Sequence, residues 1–263
     1  MEILGYLFSV LIGISIGLIG AGGSILAVPI MVYLFSVNPQ LATSYSLFIV
    51  GVTAFFGAIR HYQMGNLQFR LALSFALPSV ASLLVVRKYI LPIIPDQIFS
   101  SGDFSLTKSM LLMLVFAVLM IMASLSMIKR SGIKSVDSSK QNLTKLMFIG
   151  LGVGMVTGLL GAGGGFLIIP ALVLFSALPM KQAIGTSLLI IFINSLIGFS
   201  GDIINHVRLD YFLLFSVTLI AIAGMLIGVQ LSKKISGEKL KPGFGWFVMI
   251  MGLYIIAKEL LLK

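Results

Sequence analysis

Eight apolar runs follow one another along the chain, separated by short connections. They cover residues 3–36, 41–59, 69–90, 109–128, 146–176, 182–200, 209–231 and 243–262. Six of them are about 20 residues long, which is the length that one α-helix needs to cross a bilayer. With 59% hydrophobic and only 10% charged residues, the chain has too little polar surface to face water throughout. We therefore predict an all-α polytopic membrane protein surrounded by lipid.

The two remaining runs are longer, and each contains a glycine-rich string. The strings are "GLIGAGGS" at residues 17–24 and "GLLGAGGG" at residues 158–165. A continuous helix through either run would be roughly 48 Å long, whereas the hydrocarbon core is only about 30 Å thick. We expect each run to break at its glycines, because glycine tolerates non-helical backbone. The arms are too short to span, which predicts a re-entrant helical hairpin that enters and leaves on one side.

The basic residues support this topology. Lys and Arg concentrate in segments 129–145 and 232–241, both of which look cytoplasmic under the positive-inside rule. If each glycine-containing run returns to its own side, Lys and Arg divide 12 inside to 6 outside; single crossings would give 10 to 8. Two very short full spans would give the same parity as the hairpins. The net charge of +10 thus indicates topology and not a nucleic-acid partner.

The two halves of the chain are similar in sequence. A shift of 141 residues aligns Gly20 with Gly161, Pro29 with Pro170, Ser46 with Ser187 and Thr53 with Asn194. Each half reads as one re-entrant hairpin followed by three transmembrane helices. We predict a first repeat at 1–128, a cytoplasmic linker at 129–145 and a second repeat at 146–263. Three full crossings per half invert the second repeat relative to the first, an arrangement typical of secondary transporters.

The glycine strings are the first candidate binding site. A helix that begins after a glycine break presents unpaired N–H groups and a partial positive charge, and glycine lets a ligand approach that backbone. Two such tips from inverted halves can meet at the midplane around one anion. The candidate residues are Gly22, Gly23, Ser24, Gly163, Gly164 and Gly165. The alternative is that the glycines only permit close helix packing.

A dinucleotide-binding motif is excluded, although the glycine strings resemble one superficially. That motif needs a strand, a turn and a helix in a soluble unit, with an acidic residue some 20 positions further on. The next acidic residue after Gly23 is Asp96.

Hydroxyl and amide side chains in the apolar runs are the second group of candidates. They can donate hydrogen bonds to an oxyanion without the cost of burying a formal charge. The candidates occur near the start and the middle of the helices that follow the hairpins: Ser46, Thr53, Thr186, Ser187 and Asn194. The alternative is hydrogen bonding between helices or to the helix's own carbonyls.

Charged side chains are expected at helix ends, where water or the lipid headgroups solvate them. This applies to Arg60, His61, Asp202, His206 and Arg208; a proton-coupling role for His61 or Asp202 is the alternative. No nucleophile–base pair and no metal-ligand spacing occurs, and the chain has no cysteine. We therefore predict neither an enzyme nor a protein with a cofactor or metal. Proton or sodium coupling and homo-oligomerisation stay open.

Both glycine strings and the segments that follow them resemble a known family. "GLIGAGGSILAVPIMV" and "GLLGAGGGFLIIPALV", followed by "ATSYSL" and "AIGTSLL", are similar to the TauE/SafE family of sulfite and organosulfonate exporters. The resemblance covers nearly the whole chain. It implies a permease of the inner or plasma membrane. The family's glycine motifs then correspond to Gly20, Gly22, Gly23, Gly161, Gly163, Gly164 and Gly165, and its small hydroxyl positions to Ser46, Thr186 and Ser187.

The sequence and the resemblance together predict a secondary transporter of a small sulfur-containing anion. We expect the anion to bind at the repeat interface. An anion channel and a transporter of another small organic anion are the alternatives. A membrane-embedded enzyme or assembly factor is disfavoured, because the sequence contains no catalytic constellation.

Overall fold

The computed structural model describes residues 2–20, 22–95, 97–101, 104–128, 143–160, 165–176, 178–204 and 209–261. Within these residues the chain is helical except for its connections and one two-stranded hairpin. The predicted all-α polytopic fold class is therefore confirmed. Four helices among the described residues are long and apolar enough to cross a membrane: Pro39–Gln63, Phe69–Ile93, Met180–Ile203 and Tyr211–Lys234.

Among its described residues, the first half contains six helices and two short strands. The helices are α1 (Glu2–Ile19), α2 (Gly22–Tyr33), α3 (Pro39–Gln63), α4 (Phe69–Val85), α5 (Leu91–Ile93) and α6 (Lys108–Ile128). A π-helical turn, Val86–Ile90, joins α4 to α5. The segment predicted as an external loop contains an antiparallel pair, β1 (Gln97–Ser101) and β2 (Phe104–Thr107).

The part of the second half that the structure describes contains five helices. They are α7 (Leu143–Leu160), α8 (Gly165–Phe175), α9 (Met180–Ile204), α10 (Tyr211–Lys234) and α11 (Gly237–Leu261). Residues 129–142 of the predicted cytoplasmic linker, and residues 161–164 of the second glycine string, lie outside the described residues.

The first glycine string breaks its run as predicted. The break separates α1 from α2, and the two arms fold back on each other. Gly23 lies against Ile16 near the break. At the open end of the hairpin, the rings of Tyr6 and Phe35 lie edge to face with centroids 5.2 Å apart. Both ends of this hairpin therefore lie on one side of the molecule.

Helices α3 and α9 pack against each other along their lengths and run in opposite directions. Three contacts, from one end to the other, join Ser44 to Asp202, Gly51 to Ser195, and His61 to Gly185. These two helices are the most deeply buried of the four long apolar helices. The α3–α9 pair therefore forms the centre of the molecule.

The outer helices also pair across the two halves. Helix α1 runs parallel to α10, and α4 runs parallel to α7, with glycine at the closest approaches. On α7, Gly150 lies against the backbone of Phe75, and Gly154 lies against the backbone of Ser79. Helices α6 and α11 are antiparallel, because Gly245 contacts Ile128 and Gly252 contacts Ala117.

Three main helix contacts of each half recur when the two halves are exchanged. The pair α1–α10 becomes α7–α4, α4–α9 becomes α10–α3, and α2–α3 becomes α8–α9; all six contacts are present. The equivalent helices α3 and α9 run in opposite directions, as do α6 and α11. Opposite directions of equivalent helices are what an inverted-topology repeat requires.

Close glycine packing between α4 and α7 leads to a stability prediction. A Cβ at Gly154 would overlap the carbonyl oxygen of Ser79, whereas a Cβ at Gly152 would meet nothing within 4 Å. We expect Gly154→Ala to destabilise the protein by about 1–3 kcal/mol, because α7 must move away from α4. Gly152→Ala, on the same helix, should stabilise by up to about 1 kcal/mol through helix propensity.

The apparent melting temperatures of both variants in detergent measure this difference. Equal melting temperatures would contradict the close contact between α4 and α7.

Candidate functional site

The first glycine break lies directly against α9 of the other half. Gly20 adopts a left-handed backbone with φ +81°, and its N–H donates to the carbonyl oxygen of Ile16 at 2.7 Å. A Cβ at Gly20 would lie 3.0 Å from Ser187 Oγ and 3.2 Å from the carbonyl oxygen of Ile184. Both the backbone conformation and the space therefore require glycine.

The other predicted glycines divide into those that begin a helix and those that pack. Gly22 is the first residue of α2, and Gly165, which is buried, is the first residue of α8. Gly23 is buried within α2, where a Cβ would overlap Ile16 and lie 2.8 Å from the carbonyl oxygen of Ile12. At Gly23 the geometry favours the packing interpretation. Gly163, Gly164 and the side chain of Ser24 lie outside the described residues.

Two of the predicted hydroxyl residues already have partners within the protein. Thr186 Oγ1 accepts a hydrogen bond from the backbone N–H of Gln68 at 3.1 Å. Ser187 Oγ donates to the carbonyl oxygen of Ile184, one turn earlier in α9, at 2.8 Å. At these two positions the hydroxyl groups bond to the protein itself, which is the alternative to anion binding.

The other predicted polar residues have unpaired atoms although all of them are fully buried. Ser46 Oγ, Thr53 Oγ1 and Asn194 Oδ1 have no hydrogen-bond partner, and neither has Ser195 Oγ beside Asn194. The amide nitrogen of Asn194 donates to Ser79 Oγ at 2.7 Å. Each buried polar atom left unpaired costs about 1–3 kcal/mol. Such a group of unpaired atoms therefore suits a polar ligand or bound water.

Three of these unpaired atoms, on Thr53, Asn194 and Ser195, lie in the central part of the α3–α9 contact, and Ser46 lies between that part and the end at Ser44. Gly51 of α3 faces Ser195 of α9, where a Cβ on the glycine would lie 3.0 Å from the serine Cβ. Thr53 and Asn194 are each within two residues of that contact, so they too belong to the middle of the helix pair. We call Ser46, Thr53, Asn194 and Ser195 the central polar group.

One end of the α3–α9 contact carries an ion pair that the sequence analysis missed. Arg87 Nη1 lies 2.9 Å from Asp202 Oδ2 and 3.2 Å from the carbonyl oxygen of Gly198. Arg87 Nη2 also donates to Thr43 Oγ1 at 3.3 Å, and Ser44 Oγ donates to Asp202 Oδ2 at 2.6 Å. The expectation that Asp202 is solvated at a helix end is wrong, because its carboxylate is buried and paired.

A cavity of about 490 Å³, lined by both apolar and polar residues, opens at this end. Its wall combines the ion pair with further polar side chains: Asn38, Gln40, Thr43, Ser44, Arg87, Lys108 and Asp202. Lys108 is buried, and its ammonium group donates to the backbone carbonyls of Leu91 and Ile94. We call this cavity the Arg87 cavity. It is large enough for a small organic anion.

The opposite end of the α3–α9 contact carries a histidine instead. His61 is 2% exposed, and neither of its ring nitrogens has a hydrogen-bond partner. Its Cβ lies 3.0 Å from the position of a Cβ on Gly185. The expectation that His61 is solvated at a helix end is therefore wrong too. Arg60, beside it, is exposed as expected. His206 and Arg208 lie outside the described residues.

The two ends carry residues that align between the halves of the sequence but differ in chemistry. The 141-residue shift places His61 on Asp202 and Ser44 on Gly185. One signal in the sequence could have identified the first end: Arg87 and its neighbour Lys88 lie within the apolar run 69–90. Its partner Asp202 is 115 residues away, so the sequence alone did not indicate the pair.

The described residues next to the two glycine breaks lie at opposite ends of α9. Gly20 is beside Ile184 and Ser187, in the first third of that helix. Leu159, the last residue but one of α7, lines the Arg87 cavity together with Asp202 near the end of α9. Because the two breaks lie beside opposite ends of α9, the structure does not favour the expectation that the two tips meet at the midplane. Helices α2 and α8 instead contact each other between the breaks.

Comparisons with known proteins agree on a membrane transporter. The family model described as "Sulfite exporter TauE/SafE" matches residues 6–255. A probable membrane transporter protein of Xylella fastidiosa is 30% identical over 255 residues, covering 94% of this chain and 91% of its own length. A protein of Methanocaldococcus jannaschii with the same description is 24% identical, and the alignment covers 94% of this chain and 92% of that protein. A protein of Bacillus subtilis, also described as a probable membrane transporter protein, is 25% identical, and the alignment covers 91% of this chain and 89% of that protein. No solved structure matches the chain.

The contact of Gly20 with α9 leads to a second prediction. Gly65 has a similar left-handed backbone, with φ +71°, but a Cβ there would meet nothing within 4 Å. Alanine costs about 1–2 kcal/mol at either position because of the backbone. Gly20→Ala should cost about 1–3 kcal/mol more than Gly65→Ala, because its methyl group also presses on Ser187.

Apparent melting temperatures in detergent compare the two variants directly. If Gly65→Ala destabilises as much as Gly20→Ala, the first break does not pack tightly against α9.

Proposed function

The chain belongs to the sulfite exporter TauE/SafE family of integral membrane transporters, and on that premise we propose that it is a secondary transporter of a small sulfur-containing anion. Sulfite and organosulfonates are the proposed substrates. Membership of this family shows that the chain is a membrane transporter. The class of anion, its binding residues and the mode of transport are argued below from the described residues.

The central polar group is the observation that carries this proposal. Ser46, Thr53 and Ser195 hold buried hydroxyl groups without a protein partner on the two central helices, α3 and α9. A sulfite or sulfonate group presents three oxygen acceptors, and hydroxyl groups can donate to them without burying a cation. The unpaired atoms are costly in an empty site and become satisfied when an oxyanion binds.

Asn194 fits the same role after rotation of its amide. Its nitrogen donates to Ser79 Oγ, but a serine hydroxyl both donates and accepts. Exchange of the amide oxygen and nitrogen, which look alike in shape, would let Ser79 donate to Asn194 Oδ1. The amide nitrogen would then face the site as a donor.

The glycine breaks supply positive potential for an anion towards the two ends of α9. Helix α2 begins at Gly22 and helix α8 begins at Gly165, so each has first-turn N–H groups without partners inside the helix. The helix dipole adds partial positive charge at these ends. The left-handed Gly20 and the contact with Ser187 bring the start of α2 to the same helix, α9, that carries Asn194.

We propose further that the two halves form an inverted repeat and that transport proceeds by alternating access. The antiparallel pairs α3–α9 and α6–α11 support this, because they join equivalent helices of the two halves. The positive-inside rule then places the connection 64–68 and the segment 232–241 inside, and the Arg87 cavity outside. Rocking of one repeat against the other would expose the central polar group to each side in turn.

Replacement of Thr53 tests the central polar group. Thr53→Val keeps the shape of the side chain and removes a hydroxyl that has no protein partner. We expect an unchanged or raised melting temperature and an about 10-fold loss in the transport efficiency for sulfite, because one donor to the anion is lost. Uptake of sulfite and sulfoacetate into proteoliposomes measures this.

Thr218→Val is the matched control. Thr218 is also a buried threonine in a long apolar helix, but its Oγ1 donates to the carbonyl oxygen of Leu214 at 2.6 Å. Its replacement should leave transport unchanged. Sulfite uptake by Thr53→Val equal to that of the wild type would remove Thr53 from the site. Counterflow, in which preloaded unlabelled anion accelerates uptake of labelled anion, separates a transporter from a channel, which shows none.

Two equivalent positions test the inversion. Asn38 precedes α3 and Pro179 precedes α9, both are exposed, and the chain contains no cysteine. Asn38→Cys and Pro179→Cys should therefore react with a membrane-impermeant maleimide from opposite sides of oriented vesicles, Asn38→Cys from outside. Labelling of both cysteines from the same side would contradict the inverted repeat.

A further inference from the structure

We propose that the Arg87 cavity is a second anion-binding site, in which Arg87 and Lys108 hold a sulfonate or sulfite group on its way to the central polar group. This inference rests on the proposed function for the identity of the anion. The cavity itself is separate from the central polar group, because none of Ser46, Thr53, Asn194 and Ser195 lines it.

The charge balance of the cavity favours an anion. Arg87 and Asp202 neutralise each other at 2.9 Å. The ammonium group of Lys108 binds two backbone carbonyl oxygens, and among the described residues no carboxylate forms an ion pair with it. The cavity wall therefore carries one formal positive charge in excess. A buried cation without a counter-ion is costly, and a bound anion supplies that counter-ion.

The guanidinium group of Arg87 has suitable geometry for a sulfonate. Its planar fork can bind two oxygens of one oxyanion side by side. The present partners of that fork are Asp202, the carbonyl oxygen of Gly198 and the hydroxyl of Thr43. An anion in the cavity competes with Asp202 for Arg87. Asp202 still accepts a hydrogen bond from Ser44 at 2.6 Å when Arg87 turns away.

The position of the cavity connects it to the second glycine break. Leu159 lines the cavity and lies one residue before the end of α7, the first arm of that hairpin; α8, the second arm, begins at Gly165. The opposite end of the α3–α9 contact has His61 in place of Asp202. The second anion site therefore belongs to one face of the protein only.

Cysteine reactivity in the cavity tests the proposal, because the natural chain has no cysteine. Gln40→Cys places a thiol in the cavity wall, and Gln97→Cys, on the exposed strand β1, is the reference position. The probes are two methanethiosulfonate reagents of similar size, one with a sulfonate and one with a trimethylammonium group. The reagent preference is the ratio of the reaction rate of the sulfonate reagent to that of the trimethylammonium reagent. With purified full-length protein in detergent, we expect this ratio to be at least about threefold higher at Gln40→Cys than at Gln97→Cys, because of the excess positive charge.

Charge substitutions in the Gln40→Cys background should change this preference in opposite directions. Lys108→Gln removes the excess charge and should abolish the preference, whereas Asp202→Asn adds to the excess and should increase it. Lys88→Gln is the matched control, because Lys88 is next to Arg87 in sequence but is exposed outside the cavity. It should leave the preference unchanged. The Asp202→Asn variant retains Lys108, so the test does not depend on the folding of Lys108→Gln.

Protection by ligand tests the role of Arg87. Sulfoacetate should slow modification of Gln40→Cys at least about threefold in the wild-type background. This protection should disappear in Arg87→Gln/Asp202→Asn, which removes both charges of the pair and leaves no buried carboxylate unpaired. The proposal is overturned if the two cysteines show the same reagent preference, if Lys108→Gln leaves the preference intact, or if sulfoacetate protects the double variant as well as the parent.

The outcomes for this site and for the proposed function are distinguishable. Saturable sulfite uptake with no charge preference at Gln40→Cys would overturn the second anion site and retain the transporter. Sulfoacetate protection at Gln40→Cys without saturable uptake of any sulfur anion would support the site and contradict the proposed function.

Discussion

The antiparallel contact between α3 and α9 is the interaction on which the other helices depend. Both helices are surrounded by others on nearly every side: α2 and α10 pack on α3, and α8 and α4 pack on α9. Glycines at Gly51 and Gly185 let the two backbones approach closely. Because lipid offers nothing to a backbone polar group, irregular backbone is tolerated only against such a protein-enclosed centre. The left-handed Gly20 lies there, against Ile184 and Ser187.

The polar groups of this contact vary from one end to the other. In the middle, small uncharged hydroxyls and one amide lie buried without full hydrogen bonding. At one end Arg87 and Asp202 satisfy each other, and at the other end His61 is buried with both nitrogens unpaired. Dense packing elsewhere supplies the stability that tolerates this. Glycine-mediated contacts between α1 and α10 and between α4 and α7 bring backbones together, which is the main source of helix association in lipid.

Much of the fold could be predicted from the sequence because membrane constraints are simple. Run length predicts spans, an over-long run with glycines predicts a break, and the break before Gly22 occurs where expected. The sequence also identified Ser46, Thr53 and Asn194, which are buried with unpaired atoms. It could not separate these from Thr186 and Ser187, which have backbone partners, because hydrogen-bond partners depend on packing. Arg87 and Asp202 were missed as a pair for the same reason, since they meet only when α4 packs on α9.

The different residues at the equivalent positions of His61 and Asp202 have a consequence for the resting protein. A carrier made of two identical inverted halves would have inward- and outward-facing states of equal free energy, because exchange of the halves converts one state into the other. Here the Arg87–Asp202 pair exists at one end only. Opening that end must separate or hydrate an ion pair, whereas opening the other end hydrates an imidazole. Under the alternating access proposed above, the two orientations therefore differ in free energy, and the empty carrier rests preferentially in one of them.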